Sequence, residues 1–456
     1  MIMEVKILSS KLIKPSTPTP NDLRYFHIAF TDEMSPTMNV PLILYYIKNS
    51  SIAADDTVSF NQLLENSLAQ ILPQFYPLSG RYIKEKRLID CCDQGVKFLE
   101  ARVDCHLHQI LGQGMKDVKP EQLNDLLPCP IGEADEAIDP LLSIQVNMFE
   151  CGGMAIGVCI SHRIADASTL STFLLAWSNI ACSTLNKDCR ENNTIRPIFN
   201  SPQFFPGRNL PKLELGIPRT MDNSDVRDGP KIVTRRFLFD GKAISEIRSR
   251  MMINCDDGTF KHQFTRVQLI SGLILRALLE IDQSNYGRSR AALVLQTVNF
   301  RDKTSPQIPK HSCGNYCIFA VAQCNPEQTR NMGFQESVNL VGNAIRETVD
   351  NCSKILNSGE NGHMAVINPF KEVTELLYKS SDLNAILLNS WCRFPYYEAD
   401  FGWGKPVWLS LVSIPAGNSV VLIDSNDGDA VEAWVNLEEK DMFKFQQDQD
   451  IKTFTT

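Results

Sequence analysis

LLSIQVNMFECGGMAIGVCISHRIADASTLSTFLLAWSNIAC, residues 141–182, is the stretch whose reading decides the fold. Leu142, Ile144, Val146 and Met148 alternate with polar neighbours, which is the period of a β-strand. Glu150-Cys151-Gly152-Gly153 supplies a turn, and residues 154–160 are an unbroken apolar run, the pattern of a buried strand. Asp166 then opens a helix whose Leu170, Phe173, Leu174, Trp177 and Ala181 share one face. An aspartate at that position caps the free N–H groups of the first turn. His162 therefore falls where a buried strand ends and a helix is about to begin. Loops at strand ends are where α/β folds place reactive groups.

The same alternation of elements extends outward in both directions. Ser59 and Gln62 form an S-x-x-Q capping box ahead of the stripe Leu64, Leu68, Ile71 and Leu72. Thr265 and Gln268 repeat the signal ahead of Leu269, Leu273, Ile274, Ala277, Leu278 and Ile281. Strand-like runs follow each helix, at 81–83 and 96–103 in the first half and at 292–298 in the second. Between the halves stand Pro197, Pro202, Pro206, Pro211 and Pro218, followed by the polar run MDNSDVRDGP at 221–230. Prolines at that density interrupt helices and central strands, so the segment reads as an extended crossover. The predicted organisation is an N-terminal α/β domain over 1–195, a Pro-rich linker over 196–230 and a C-terminal α/β domain over 231–456.

Composition narrows the function. A chain of 456 residues, 43% apolar and 21% charged, has enough apolar material for two cores and is not globally disordered. Its net charge of −8 opposes binding to phosphate backbones, so no nucleic-acid partner is expected. No apolar run reaches the roughly 18 residues of a membrane helix, and the N-terminus lacks the apolar core of a secretory signal. The expectation is a cytoplasmic protein with no membrane partner, whose fourteen cysteines are reduced thiols.

Two motifs carry chemistry. His162-Arg163-Ile164-Ala165-Asp166 is an H-x-x-x-D pattern. Seven histidines and thirty aspartates in this chain make roughly half a match expected by chance. A helix-capping aspartate and a satisfied core histidine would account for it, and only its position at a strand end adds weight. Asp400-Phe401-Gly402-Trp403-Gly404 is far more specific, expected by chance on the order of 10⁻⁴ times. Its first three residues suggest a protein kinase, but there is no Gly-rich phosphate loop, V-A-I-K strand or H-R-D-L-x-x-x-N run. Other groups carry less. Ser161 and Cys159 flank His162, but neighbours in an extended chain face opposite ways. Cys105-His106-Leu107-His108 has no second ligand pair at zinc spacing, so no metal is expected. Gly112-Gln113-Gly114 lacks a third glycine, and no G-x-S-x-G elbow of a hydrolase is present.

HRIAD in mid-chain together with DFGWG near the end resembles the BAHD family of plant coenzyme A-dependent acyltransferases. Val5-Lys6-Ile7-Leu8 through Lys14-Pro15-Ser16-Thr17-Pro18-Thr19-Pro20, Tyr76-Pro77-Leu78-Ser79-Gly80-Arg81, Asn299-Phe300-Arg301, Gly314-Asn315 and Ser390-Trp391 extend the likeness over nearly the whole chain. Ser79 stands where alanine is commoner, and Arg163 where lysine is frequent. The N-terminal run and the stretch from Ser390 through Pro406 look most like the alkaloid acetyltransferase branch.

The resemblance implies two chloramphenicol-acetyltransferase-like α/β domains with a solvent channel between them. It implies His162 and Asp166 as the catalytic motif, with His162 the general base and Asp166 fixing its loop by pairing with an arginine, for which Arg301 is the candidate. Asp400, Phe401, Gly402, Trp403 and Gly404 then support the channel structurally, and Ser390 or Trp391 contacts the oxyanion or substrate. The resemblance further implies no bound cofactor and acetyl-CoA as the co-substrate. The acceptor expected from the resemblance is the hydroxyl of a plant alkaloid, with the monoterpene indole type favoured. The alternatives are a terpenoid or simple alcohol acceptor, or a non-catalytic ligand-binding relative. The expected partners are thus acyl-CoA and a small hydroxylated molecule, and the expected state is a monomer. The residue types suit this chemistry, because a hydroxyl is a poor nucleophile near neutral pH and a neutral imidazole is well matched to take its proton.

Overall fold

A computed structural model describes residues 3–456, apart from 49–56, 112–119, 133–135, 186–194, 213–230, 253–263, 381 and 415. The first half contributes β1 (Val5–Ile13), β2 (Tyr25–His27), β3 (Asn39–Tyr46), β4 (Arg81–Ile83), β5 (Leu88–Asp90), β6 (Val96–Val103), β7 (Leu142–Phe149) and β8 (Met154–Ser161). After the crossover come β9 (Ile232–Phe239), β10 (Ala292–Asn299), β11 (Cys317–Cys324), β12 (Asn384–Ser390), β13 (Trp408–Ser410), β14 (Ser419–Asp424) and β15 (Val431–Glu438). The chain forms two compact α/β units.

The first unit comprises residues 1–227, 309–315 and 394–413. Its six-stranded sheet runs β1-β6-β7-β8-β3-β13, antiparallel except for the β6–β7 pair. The short antiparallel sheet β2-β5-β4 lies in the same unit. Two pieces of this unit therefore come from beyond the crossover, one of them carrying both β13 and the DFGWG motif. The second unit comprises 228–308, 316–393 and 414–456, and its sheet runs β11-β10-β12-β14-β15-β9. Here β10, β12 and β14 are parallel to one another and the flanking pairs are antiparallel. Its main core packs Leu269, Leu273 and Ile274 of the helix Arg266–Tyr286 with Val294, Ile386, Val420 and Ala433 of the sheet. That helix starts as its sequence predicts. Thr265 Oγ1 accepts the Gln268 N–H at 3.3 Å, and Gln268 Oε1 accepts the Thr265 N–H at 2.9 Å. The helix Thr57–Ile71 begins two residues before Ser59, whose side chain lies outside the described ones.

The deciding stretch folds as read, into β7, a turn, β8 and the helix Ala167–Leu185. Its polar strand positions are also buried. Gln145 Nε2 donates to the Asp125 carbonyl at 2.9 Å, and Asn147 Nδ2 donates to Leu126 O at 2.9 Å and Ala155 O at 3.2 Å. These amides hold the segment 124–127 against the sheet so closely that a Cβ at Gly157 would lie 2.1 Å from Leu126 O.

The start of the crossover is anchored to the first unit. The Glu33 carboxylate accepts the backbone N–H groups of Arg208, Asn209 and Leu210 at 3.1, 3.2 and 2.9 Å. The rest of the expected linker, residues 213–230, lies outside the described residues. Cys182 is disulfide-bonded, so the expectation of reduced thiols throughout does not extend to it. The other described cysteines are free. Among the described residues no helix is long and apolar enough to cross a membrane.

Candidate active site

Strand β8 delivers His162. Its last residue, Ser161, pairs with Asn39 of β3, and the His162 N–H donates to Met38 O at 3.0 Å. The chain then turns and enters the helix Ala167–Leu185, capped by Asp166, whose Oδ1 accepts the Thr169 N–H at 2.8 Å. Arg163, between them, is buried, and its Nη1 donates to the carbonyls of Asp32, Glu33 and Ser35 at 3.4, 3.0 and 3.3 Å. The guanidinium thus laces the HRIAD loop to the segment 32–35. Ser161 is buried, and its Oγ accepts the Arg163 N–H at 3.3 Å.

The imidazole of His162 is partly buried and its Nδ1 lies 2.9 Å from Asn315 Oδ1. The polarity of that contact follows from the other half of the amide. Asn315 Nδ2 donates to Asp32 Oδ1 at 2.8 Å and to the His162 carbonyl at 2.8 Å. The group facing Nδ1 is therefore the amide oxygen, which only accepts. Nδ1 must carry the proton, leaving the lone pair on Nε2. Burial lowers the pKa of His162 from its ordinary 6.5, the Asp166 charge and the Asn315 hydrogen bond oppose that shift, and Arg163 adds to it. The net lowering keeps the ring neutral at physiological pH, in the form that can take a proton.

Asp32 is fully buried, and burial raises its pKa from 3.8 to about 6. The hydrogen bonds from Asn315 and from the Ala29 N–H restrain that rise, whereas the charge of Asp166 adds to it.

The DFGWG segment builds a turn. Asp400 Oδ1 accepts the N–H groups of Gly402 at 2.7 Å and Gly404 at 3.0 Å. Both glycines have positive φ, +108° and +115°, a region that side chains with a Cβ resist. Phe401, ahead of them, is fully buried, edge-on to Trp177 with centroids 4.7 Å apart and stacked on Trp403 at 5.6 Å. Trp177 lies on the helix that Asp166 caps, so the motif packs against the element that carries the site.

Arg301, Ser390 and Trp391 belong to the second unit, whereas His162 and Asp166 belong to the first. Arg301 is buried, its guanidinium over the Tyr316 ring at 4.5 Å and its Nη1 donating to Asn299 Oδ1 at 3.2 Å. Ser390 ends β12, where its Oγ accepts the Cys392 N–H at 3.3 Å, and the Trp391 N–H donates to Leu422 O at 2.7 Å.

Sequence reasoning noticed Asn315 only as part of a Gly-Asn pair and missed Asp32. No local pattern marks either one, since Asn315 lies 153 residues from His162 and 283 from Asp32. Cys105 is buried while His106 and His108 are exposed, their rings 5.4 Å apart. Among the described residues no cluster of three or more His, Cys, Asp or Glu side chains could hold a metal ion.

Known proteins show the same architecture. The crystal structure of vinorine synthase superposes with a TM-score of 0.79 at 30% identity, covering 99% of this chain and 98% of that one. In sequence, vinorine synthase of Rauvolfia serpentina is 32% identical over 97% of this chain and 96% of its own length. Stemmadenine O-acetyltransferase of Catharanthus roseus is 32% identical over 98% of this chain and 97% of its own. The pelargonidin 3-O-(6-caffeoylglucoside) 5-O-(6-O-malonylglucoside) 4'''-malonyltransferase of Salvia splendens is 33% identical over 99% of this chain and all of its own. The profile of the Transferase family matches residues 3–452. With that match running almost from end to end, the chain belongs to the Transferase family, the BAHD acyltransferases.

Proposed function

We propose that this protein transfers an acetyl group from acetyl-CoA to a hydroxyl of a plant alkaloid, of the monoterpene indole type, with His162 as general base. The observation that carries the reading is the fixed imidazole, neutral and held at Nδ1, with Nε2 left to accept a proton. Nε2 takes the acceptor's hydroxyl proton as its oxygen attacks the thioester carbonyl. The tetrahedral intermediate collapses, the C–S bond breaks, and the CoA thiolate leaves and recovers the proton from the imidazolium. Both substrates are bound together, so proximity contributes much of the rate and no covalent enzyme intermediate is needed. Asp166 caps the helix Ala167–Leu185 and so fixes the loop of His162. The enzyme works as a cytoplasmic monomer.

The relatives named stemmadenine O-acetyltransferase and vinorine synthase support the alkaloid acceptor. A malonyl donor is the second reading, favoured by the similarity to the Salvia splendens malonyltransferase. Mass spectrometry of the purified protein with acetyl-CoA or malonyl-CoA and a panel of hydroxylated indole alkaloids, terpenoid alcohols and simple alcohols decides between them. An acetylated alkaloid that disappears with His162→Ala is the expected result. Product from malonyl-CoA alone moves the donor, and product from terpenoid or simple alcohols alone moves the acceptor. Undiminished turnover by His162→Ala removes the general base from the mechanism, and ligand binding without any transfer sinks the enzyme reading.

A further inference from the structure

We infer that Asp32 is a positioning residue for His162: its carboxylate sets the orientation of the Asn315 side-chain amide, and that amide in turn dictates which imidazole nitrogen carries the proton. The inference rests on the general-base reading above and adds to it the group that selects the reactive tautomer.

Asn315 binds Asp32 twice. Its backbone N–H and its Nδ2 both donate to the same oxygen, Oδ1, each at 2.8 Å. Two donors from one residue on one acceptor fix where the side chain leaves the backbone and which end of the amide faces the acid. The other end then faces His162 Nδ1. A flipped amide would set its oxygen against the carboxylate and against the His162 carbonyl, replacing two attractive contacts with two repulsive ones. It would also turn an N–H₂ toward Nδ1, so that Nδ1 would have to accept and Nε2 would hold the proton. An imidazole in that form has no lone pair at Nε2 to receive the hydroxyl proton.

The site also requires an acid at 32 and not an amide of the same shape. Asp32 Oδ2 accepts the Ala29 N–H at 3.0 Å and the Ser201 hydroxyl at 3.5 Å, so both carboxylate oxygens meet donors. An asparagine there would place an N–H₂ either against Ala29 or against the two donors of Asn315. Only a group that accepts on both oxygens satisfies the arrangement, and burying such a charge has a real desolvation cost. Asp32 sits in the short helix Phe30–Glu33, whose neighbouring carbonyls bind Arg163, so the acid and the HRIAD loop are fixed to the same piece of backbone.

The test combines a double-mutant cycle with a direct reading of the tautomer. Wild type, Asp32→Asn, Asn315→Ala and the double variant are compared for kcat, for KM of each substrate and for thermal unfolding. Acting through Asn315, Asp32→Asn lowers kcat roughly 10- to 100-fold with KM changed by no more than about twofold, and it adds little once Asn315 is already alanine. The same loss in both backgrounds, a rise in KM at constant kcat, or wild-type kcat in Asp32→Asn would each overturn the proposal. Independently, ¹⁵N-histidine labelling reports the His162 ring without turnover, its signals assigned by their loss in His162→Gln. Wild type at mildly alkaline pH shows protonated Nδ1, and Asp32→Asn shows a shift toward protonated Nε2. Protonated Nε2 in the wild type overturns the proposal even if no variant folds. Because the ring signals need no acceptor, they still decide the role of Asp32 if the donor or acceptor has been misassigned.

Discussion

At the scale of the residue, burial shifts two groups of the site in opposite directions. Burial lowers His162 from 6.5, and burial raises Asp32 from 3.8 to about 6. The proposed mechanism needs His162 neutral and Asp32 ionised. Both conditions fail on the acid side, so kcat/KM is expected to be flat near pH 8 and to fall as pH drops through about 6, where Asp32 takes up its proton, with protonation of His162 below its ordinary 6.5 adding to the loss. Their contributions to stability differ in sign. The neutral form of His162 supports the fold above 6.5, and that support is lost as pH falls through its lowered value. The protonated form of Asp32 supports the fold fully below 3.8, and that support is lost as pH rises through about 6. Between those values the two oppose each other, so the fall in activity should not be matched by a fall in Tm. Parallel pH profiles of turnover and thermal unfolding check this, and a Tm that tracks the activity loss would assign the acid limb to unfolding.

At the scale of the element, DFGWG is a packed turn whose main anchor is Phe401 against Trp177. Phe401→Ala should cost about 3–5 kcal/mol, because it empties a fully buried site between two indoles. That corresponds to a Tm lower by roughly 10 °C in a unit of this size. KM for acyl-CoA should hold in whatever protein stays folded. An unchanged Tm with a raised KM for acyl-CoA would instead make the motif a binding element. This scale also separates what was legible in the sequence from what was not. The periods that produce β7, β8 and the helix Ala167–Leu185 are local, and residues 141–182 display them openly. The capping box at Thr265 is equally local. The burial of Gln145 and Asn147 was illegible, since it depends on where the segment 124–127 crosses the sheet. Asn315 and Asp32 were illegible for the same reason. Their roles come from contacts made across the fold, and a single sequence carries no periodic trace of such contacts.

At the scale of the molecule, the unit that carries His162 is not encoded in one continuous stretch. Its sheet ends in β13, from the far side of the crossover, where Trp408 stacks on Tyr45 at 4.9 Å and Ser410 Oγ lies 2.9 Å from Tyr45 Oη. Tyr46 Oη donates to Ala399 O, Tyr396 Oη donates to Ala167 O, and Asn315 arrives from another returning segment. Prolines in the sequence mark where the chain leaves the first unit, but nothing local marks where it comes back, because the returning segments are defined by the surfaces that receive them. The fragment 1–230 therefore lacks the edge strand over β3, the aromatic ring packed on Trp177 and the amide that holds His162. Its β3 would present an open, apolar edge, the feature that drives strand-to-strand aggregation. Expressed alone, it should be insoluble or lack a cooperative unfolding transition by circular dichroism, whereas the full chain unfolds cooperatively. A soluble 1–230 fragment with dispersed amide resonances would show that the returning segments add the site to a unit that already stands without them. Failure to fold would mean that the unit and the setting of His162 are completed in the same step, by segments translated after the crossover.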